Sequence, residues 1–266
     1  MARASVMSDQ ALLARSVLVP AGGRDIHSTD GVLVYRLGVY RRFYIPIAGR
    51  TFEEYLAGFS SKSRSTLQRK LRKFENAEGA AVDWSTYRAA VDVGTFLAAA
   101  LPLSRRTYQH RLLNSGLPDS SEFGAHLEGL ASSGLFRGWI LRLKGEPIAY
   151  ICAMGTGKTL LYDYVGFDAF HGALSPGTVL QYLVLEQLHQ EGEIDHFDFT
   201  EGEGPHKEFF GTEFLLCADV LVSSNGWGMH VLFQAHRRWG ISMRAFAGMA
   251  QGLGLKKWLK KLLRGQ

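Results

Sequence analysis

The clearest rhythm in the chain lies between residues 135 and 167, where apolar runs are cut by two short polar turns. LFRGWILRLKGEPIAYICAMGTGKTLLYDYVGF reads as three strands, with KGEP (144–147) and GTGK (155–158) supplying the turns. SPGTVLQYLVLEQLHQEG (175–192) has a Ser-Pro start and a Gly stop, which predicts a helix. HFDFT (196–200) is a short strand, GEGPHKEFFGTE (202–213) a loop with one helical turn, and FLLCADVLVSS (214–224) another strand. This order, β-β-β-α-β-α-β, predicts a mixed sheet with helices packed against it.

Upstream the signals are sparser. Residues 1–30 read as a loosely ordered arm with a short strand around Val17–Val19, and GVLVYRLGVYRRFYIPI (31–47) as one or two strands. Thr51, with Glu54 three residues on, forms a capping box for TFEEYLAGF. A helix over Ser61–Ala77 sets Leu67, Leu71 and Phe74 on one face and cations on the other. The strand AAVDWSTY follows, then helices over 88–133 punctuated by Pro102, Gly116 and Pro118. Residues 228–251 and 254–264 are helical, the second amphipathic.

Composition narrows the class. A chain of 266 residues with 46% apolar and 21% charged residues is no collagen, disulfide scaffold or wholly disordered protein. Cys152 and Cys217 fall in or beside apolar runs, which fits a reduced, cytoplasmic setting. No zinc-type spacing occurs, and no run of about 18 apolar residues marks a membrane span. Asp9 and Arg15 interrupt any leader-like stretch.

The net charge of +5 is uneven. The last acid is Asp219; after it come Arg237, Arg238, Arg244, Lys256, Lys257, Lys260, Lys261 and Arg264, which is +8, so the rest carries 5 − 8 = −3. A second basic block holds Lys62, Arg64, Arg69, Lys70, Arg72 and Lys73. Such blocks suit anionic partners or a solvated face. In GLGLKKWLKKLLRGQ, Leu255, Trp258, Leu259, Leu262 and Leu263 oppose the lysines. That pattern suits an anionic membrane surface contacted through 254–264, or a terminal helix docked with its lysines outward.

Candidate chemistry gathers downstream of the three strands. Ser175-Pro176-Gly177-Thr178 opens its helix directly after a strand and loop, and Gly177 lets backbone approach a ligand. The helix end would suit a pyrophosphate, and an ordinary N-cap has the same sequence. Before it runs Leu161-Tyr162-Asp163-Tyr164-Val165-Gly166-Phe167-Asp168. After it runs Phe197-Asp198-Phe199-Thr200-Glu201-Gly202-Glu203-Gly204-Pro205-His206-Lys207-Glu208-Phe209-Phe210-Gly211.

Together these segments resemble the GNAT-like acyltransferase family typified by the cellulose-biosynthesis protein CelD, related to the Fem-type aminoacyl transferases. That family carries a tyrosine-rich strand, SPG opening a helix, then D-F-x-x-G-x-x-x-Y-K and a nearby F-G. SSKSRSTLQRKLRKFE is similar to its S-x-x-x-R-x-x-L-R-R segment. There are departures. His206 stands where the family has Tyr, Glu201-Gly202-Glu203 where it has R-G-D, and SPGT where GNAT enzymes carry Q/R-x-x-G-x-G/A.

The resemblance implies an α/β (α+β) fold with a mixed, mostly antiparallel sheet flanked by helices and a helical C-terminal extension. It implies an N-terminal portion over 1–115, a core over 116–225 and a basic extension over 226–266. Strands 159–167 and 196–200 would splay apart. The arm of an acyl-CoA, acetyl-CoA first, would pair with backbone at Val165 and Gly166, its pyrophosphate on Ser175, Pro176, Gly177 and Thr178. A small-molecule primary amine, such as an amino sugar or amino acid derivative, would enter from the other side past Tyr162, Asp163, Tyr164 and Arg64. Glu201 or Asp198 would take the ammonium proton, and His206 or Lys207 would assist the departing thiolate, with no metal. The plainer readings are a solvated acidic loop, a surface His-Lys pair, and Asp163 paired with a buried cation. Two alternatives stand: a Fem-type transferase using aminoacyl-tRNA, supported by the basic helix, and a non-catalytic membrane-associated accessory protein. Whether two chains share a site is open.

Overall fold

The computed structural model describes residues 11–106 and 116–252. The chain forms two compact units, Met1–Arg41 with Leu215–Gln266, and Arg42–Phe214. These cuts differ from those expected at 115/116 and 225/226, and sheet pairing is the reason. β1 (Ala11–Leu18) pairs antiparallel with β9 (Glu213–Ser224), from Ala11↔Ser223 to Leu18↔Cys217. Ala11–Leu18 of the expected arm is thus a strand tied to β9.

In the unit Arg42–Phe214, a mixed sheet runs from the end of β3 (Val32–Pro46) through β8 (His196–Asp198), β7 (Thr159–Phe167), β6 (Glu146–Thr156) and β5 (Phe136–Leu143) to β4 (Trp84–Tyr87). Every pairing in it is antiparallel except β7 with β8. The mixed, mostly antiparallel sheet flanked by helices is the expected one, and the three strands of 135–167 form with their turns at the expected places.

Alternation along β5 and β6 builds two cores. Trp139, Leu141, Ala149 and Ile151 face α1 (Phe52–Ala57), α2 (Ser61–Glu78) and α5 (Pro176–Glu191), where Leu67, Phe74, Leu180, Val184 and Leu188 pack on them. Ile140, Tyr150 and Cys152 face α3 (Val93–Arg106) and α4 (Ser121–Ser132), which supply Phe96, Leu103 and Leu127. The Thr51–Glu54 capping box of α1 is present, with both bonds made. Gly192, at φ +62, ends α5 in a left-handed cap that costs a glycine little.

The other unit holds a hairpin. β2 (Ile26–Thr29) pairs with β3 from Ile26↔Tyr35 to Thr29↔Val32, turning through Asp30 and Gly31 at φ +48 and +78. Asp-Gly favours such a turn because both residues tolerate positive φ. α7 (Trp227–Gly252) packs Phe233 against Leu33 and Tyr35. Among the described residues no helix is long and apolar enough to cross a membrane. The expected helix 254–264 lies outside the described residues.

Candidate active site

β7 is paired very differently on its two edges. On the β6 side the ladder runs its whole length, from Thr156↔Thr159 to Ala149↔Phe167. On the β8 side it lasts only from Thr159↔His196 to Leu161↔Asp198. Beyond Leu161 the strands part. The register with β6 shifts at the same point, between Ala153↔Tyr162 and Cys152↔Tyr164, so Asp163 is an extra residue, a bulge that bends the strand. A cavity of about 460 Å³ opens on the freed edge. Tyr162, Val165, Gly166 and Phe167 line it from β7, Gly177, Thr178 and Leu180 from α5, and Pro205, His206 and Lys207 from α6 (Pro205–Phe210).

The α5 end of the cavity is tightly built. Ser175 sits in the left-handed region at φ +54 with no side-chain cap bond, and Pro176 takes the first helical position. A non-glycine residue there is strained, so the surrounding packing holds the turn. Thr178 and Val179 both donate their N–H to the Ser175 carbonyl, at 2.9 and 3.1 Å, and Pro176 has none to give. Gly177 therefore supplies the backbone N–H at this helix end. A Cβ at Gly177 would lie 3.3 Å from the Phe167 ring, which explains a residue without one. From α2, Lys70 Nζ donates to Thr178 Oγ1 at 3.1 Å and Lys73 Nζ to the Ala173 carbonyl at 2.9 Å. Burial lowers the Lys70 pKa, helped by neighbouring Arg69.

At the α6 end, His206 Nε2 lies 3.3 Å from Tyr162 Oη, with the two rings near parallel. Phe199 and Phe210 enclose the imidazole. Burial, then the charges of Lys70 and Lys207, push the His206 pKa down to about 4. Burial pushes the Tyr162 phenol well up. At neutral pH the pair is thus a neutral imidazole and an intact phenol. Both shifts resist proton transfer, leaving the imidazole a weaker base and the phenol a weaker acid than usual. An imidazole held neutral is a poor source of the proton a thiolate needs, which weighs against the expected role of His206. Lys207 Nζ donates to the Glu201 carbonyl at 2.5 Å, and burial lowers its pKa.

The remaining candidates lie outside the cavity lining. Asp163 accepts a hydrogen bond from the Met154 N–H, while its Oδ2 is buried and without a hydrogen-bond partner among the described residues. Burial raises its pKa to about 6, and the charges of Asp198 and Glu201 add to this. Its charge is felt by Cys152 and Tyr164, on the α3–α4 side of the sheet, where Tyr164 packs edge-on against Phe123 at 5.5 Å. Asp198 is engaged: Arg42 Nε reaches both carboxylate oxygens at 2.9 Å, and the Thr200 N–H donates to Oδ1 at 2.7 Å. Glu201 is exposed. Arg64 is turned away altogether, its guanidinium donating to the carbonyls of Phe59 and Ala57 at 2.7 and 3.3 Å. It closes the end of α1, so its expected substrate contact is corrected.

The sequence profile of the Acetyltransferase (GNAT) domain matches residues 61–208, more than half the chain and the whole of the cavity lining. The chain belongs to this GNAT family. No curated protein matches it significantly. Among solved structures it is similar to the C-terminal domain of a protein assigned as a lysylphosphatidylglycerol synthetase from Agrobacterium fabrum. That match has TM-score 0.50 and 15% identity, covering 74% of this chain and 63% of that one. L-PGS from Bacillus licheniformis (TM-score 0.49, 15% identity, 78% and 66% covered) and FemX (0.49, 12%, 72% and 63%) are similar as well. The chain thus spans less than two thirds of the first of these, and at 15% identity that likeness speaks for the fold alone. Nothing in these findings singles out the CelD branch.

Sequence reasoning missed several GNAT-domain residues here. Tyr150 and Ile151 of β6, Phe167, Leu180 and Pro205 complete the cavity wall. Their signal in the sequence is only that of ordinary core or turn residues. Arg42, the partner of Asp198, is 156 positions away, and no local spacing could pair them.

Proposed function

We propose that this GNAT-fold acyltransferase moves an acyl group from acyl-CoA to a primary amine. The observation that carries the reading is the early parting of β7 from β8. It turns one edge of β7 toward a cavity that is apolar along the strand, with Lys70 and Lys73 bonded to Thr178 and Ala173 at the α5 end. An extended amide-bearing arm can take up the hydrogen bonds that β8 does not make. Gly177 N–H, with Lys70 and Lys73, suits the phosphates. The volume falls within the range of about 300–1,000 Å³ usual for ligand sites.

The chemistry follows from protonation states. A neutral amine attacks the thioester carbonyl carbon, and the tetrahedral species must lose an ammonium proton and expel a thiolate. Asp163, mostly ionised at neutral pH yet with a raised pKa, is suited to take the proton. Tyr162 lines the cavity with its Oη 3.3 Å from His206 Nε2, and this placement makes its O–H the donor assigned to the departing sulfur. The acceptor side, with Asp163 and Tyr164, suits a cationic small molecule. A second reading, a tRNA-borne aminoacyl donor, is favoured by the exposed Lys62, Arg69 and Arg72 beside the lysines at the cavity rim.

Calorimetric titration with acetyl-CoA and with CoA, at two salt concentrations, tests the donor. Micromolar binding, lost in Gly177→Glu and weakened several-fold in Lys70→Ala, is expected. No binding to either by folded protein overturns acyl-CoA. Tight, steeply salt-dependent binding of aminoacyl-tRNA instead favours the second reading.

A further inference from the structure

We propose that the outward face of α7 docks on an anionic lipid bilayer. This surface shares no residue with the GNAT cavity and does not depend on its chemistry. One side of α7 is spoken for: Phe233 packs 5.0 Å from the Tyr35 ring, and His236 Nδ1 lies 2.8 Å from Tyr35 Oη. On the other side Trp227, Val231, Ala235, Trp239 and Met243 recur at every fourth position. Each is turned about 40° from the last, so they form one continuous apolar band along the helix. All five are exposed, Trp227 at 85% and Trp239 at 69%. Leu232, also exposed, widens the band.

A helix that packs one apolar stripe on its own protein normally turns polar residues outward. This one turns out two indoles, the side chain that settles best at the headgroup level of a membrane. The charge decides the occupant. No acidic residue follows Asp219 in the sequence, whereas eight Lys and Arg do, so the segment carries a formal charge of +8. Arg237 is tied to Asp25 at 2.9 Å, while Arg238 falls in angle between Trp227 and Val231, inside the band. A second copy of the chain would bring two such cationic segments together and be repelled. An anionic bilayer accepts the indoles and the cations at once.

The experiment is co-sedimentation of the full chain with phosphatidylcholine–phosphatidylglycerol vesicles, against phosphatidylcholine alone, at low and high salt. Binding to the anionic vesicles only, weakened by salt, is expected. The variant Trp227→Ser/Trp239→Ser/Met243→Ser should lose at least about tenfold in partitioning with an unchanged circular dichroism spectrum. Quenching of tryptophan fluorescence by brominated lipid reads the same contact with gentler changes. It should fall in Trp227→Phe/Trp239→Phe and persist in Trp258→Phe. Three results overturn the proposal. The first is that the wild type stays in the supernatant. The second is that binding is lost in Lys256→Gln/Lys257→Gln/Lys260→Gln/Lys261→Gln but untouched by the α7 substitutions. The third is that the band proves to hold a dimer that the serine variant dissociates and that ignores vesicles.

Discussion

β7 meets β6 along its full length and β8 along its first three residues. The two edges of one strand therefore do different work. The β6 edge belongs to a sheet buried on both faces, where β5 is fully buried over Phe136–Leu141 and every side chain has a fixed neighbour. The β8 edge opens at a bulge and gathers Tyr162, Asp163, His206 and Lys207, each with displaced protonation. Rigidity on one edge is what allows a gap on the other to keep its shape, since a site placed on a packed strand moves less than one on a loop.

The largest expected effect attacks the closed edge. Gly138→Val would set a Cβ 2.7 Å from Phe96 Cδ2 and 2.9 Å from Phe136 Cζ. Overpacking of this kind should cost about 3 kcal/mol, read as a lower denaturant midpoint with little change in slope. If the variant is as stable as wild type, the closed edge is softer than described.

At the open edge, His206 should make stability pH-dependent. Its pKa is lowered from an ordinary 6.5 to about 4, so folding favours the neutral ring. The contribution is complete above about 6.5 and is lost as pH falls to about 4, up to roughly 3 kcal/mol. His206→Gln should flatten denaturation midpoints across that window.

Asp163 has the opposite sign. Its pKa is raised from 3.8 to about 6, so the folded state favours the neutral carboxyl. That stability is present below about 4 and lost as pH rises through 6. Asp163→Asn should therefore gain on wild type over this interval. In an activity assay it should also lose the acid limb of the kcat/KM profile near pH 6. A variant with an intact limb would move the base elsewhere.

The smallest effect belongs to Arg64. Arg64→Ala removes hydrogen bonds to the end of α1 and should cost no more than about 1 kcal/mol, with KM unchanged. A large rise in KM would return it to the substrate site.

What could be read from the chain was local. The capping box at Thr51 and Glu54, the Pro-start and Gly-stop of α5 and the three strands of 135–167 are each coded within a few residues, and each formed. β1 was read only around Val17–Val19 because Arg15 and Ser16 interrupt its apolar run. In the fold Ser16 sits at φ +55 at a register shift, its N–H held by Asp219 from β9 at 3.0 Å. The Asp30–Gly31 hairpin is also local, coded by an Asp-Gly pair between two short strands. At the site, Ser175, Gly177, Thr178, Tyr162, Val165, Gly166, His206 and Lys207 came together as cavity lining, while Pro176 is buried behind it. The bulge at Asp163 could not be read, because it is defined by the partner strand. The same holds for Asp198, whose availability is decided by Arg42, and for Arg64, whose cationic block resembles any anion-binding helix until α1 is folded beneath it.

The parting of β7 and β8 also bears on how the protein keeps in solution. A strand edge that can receive an extended arm can receive another strand just as well. Val165 and Phe167 lie on it, Phe167 exposed, with only Gly166 between them and no charge before Asp168. Concentrated stocks should therefore cloud first through this edge. A single lysine at Val165, chosen to guard it, would lengthen storage at the expense of whatever the edge was shaped to hold.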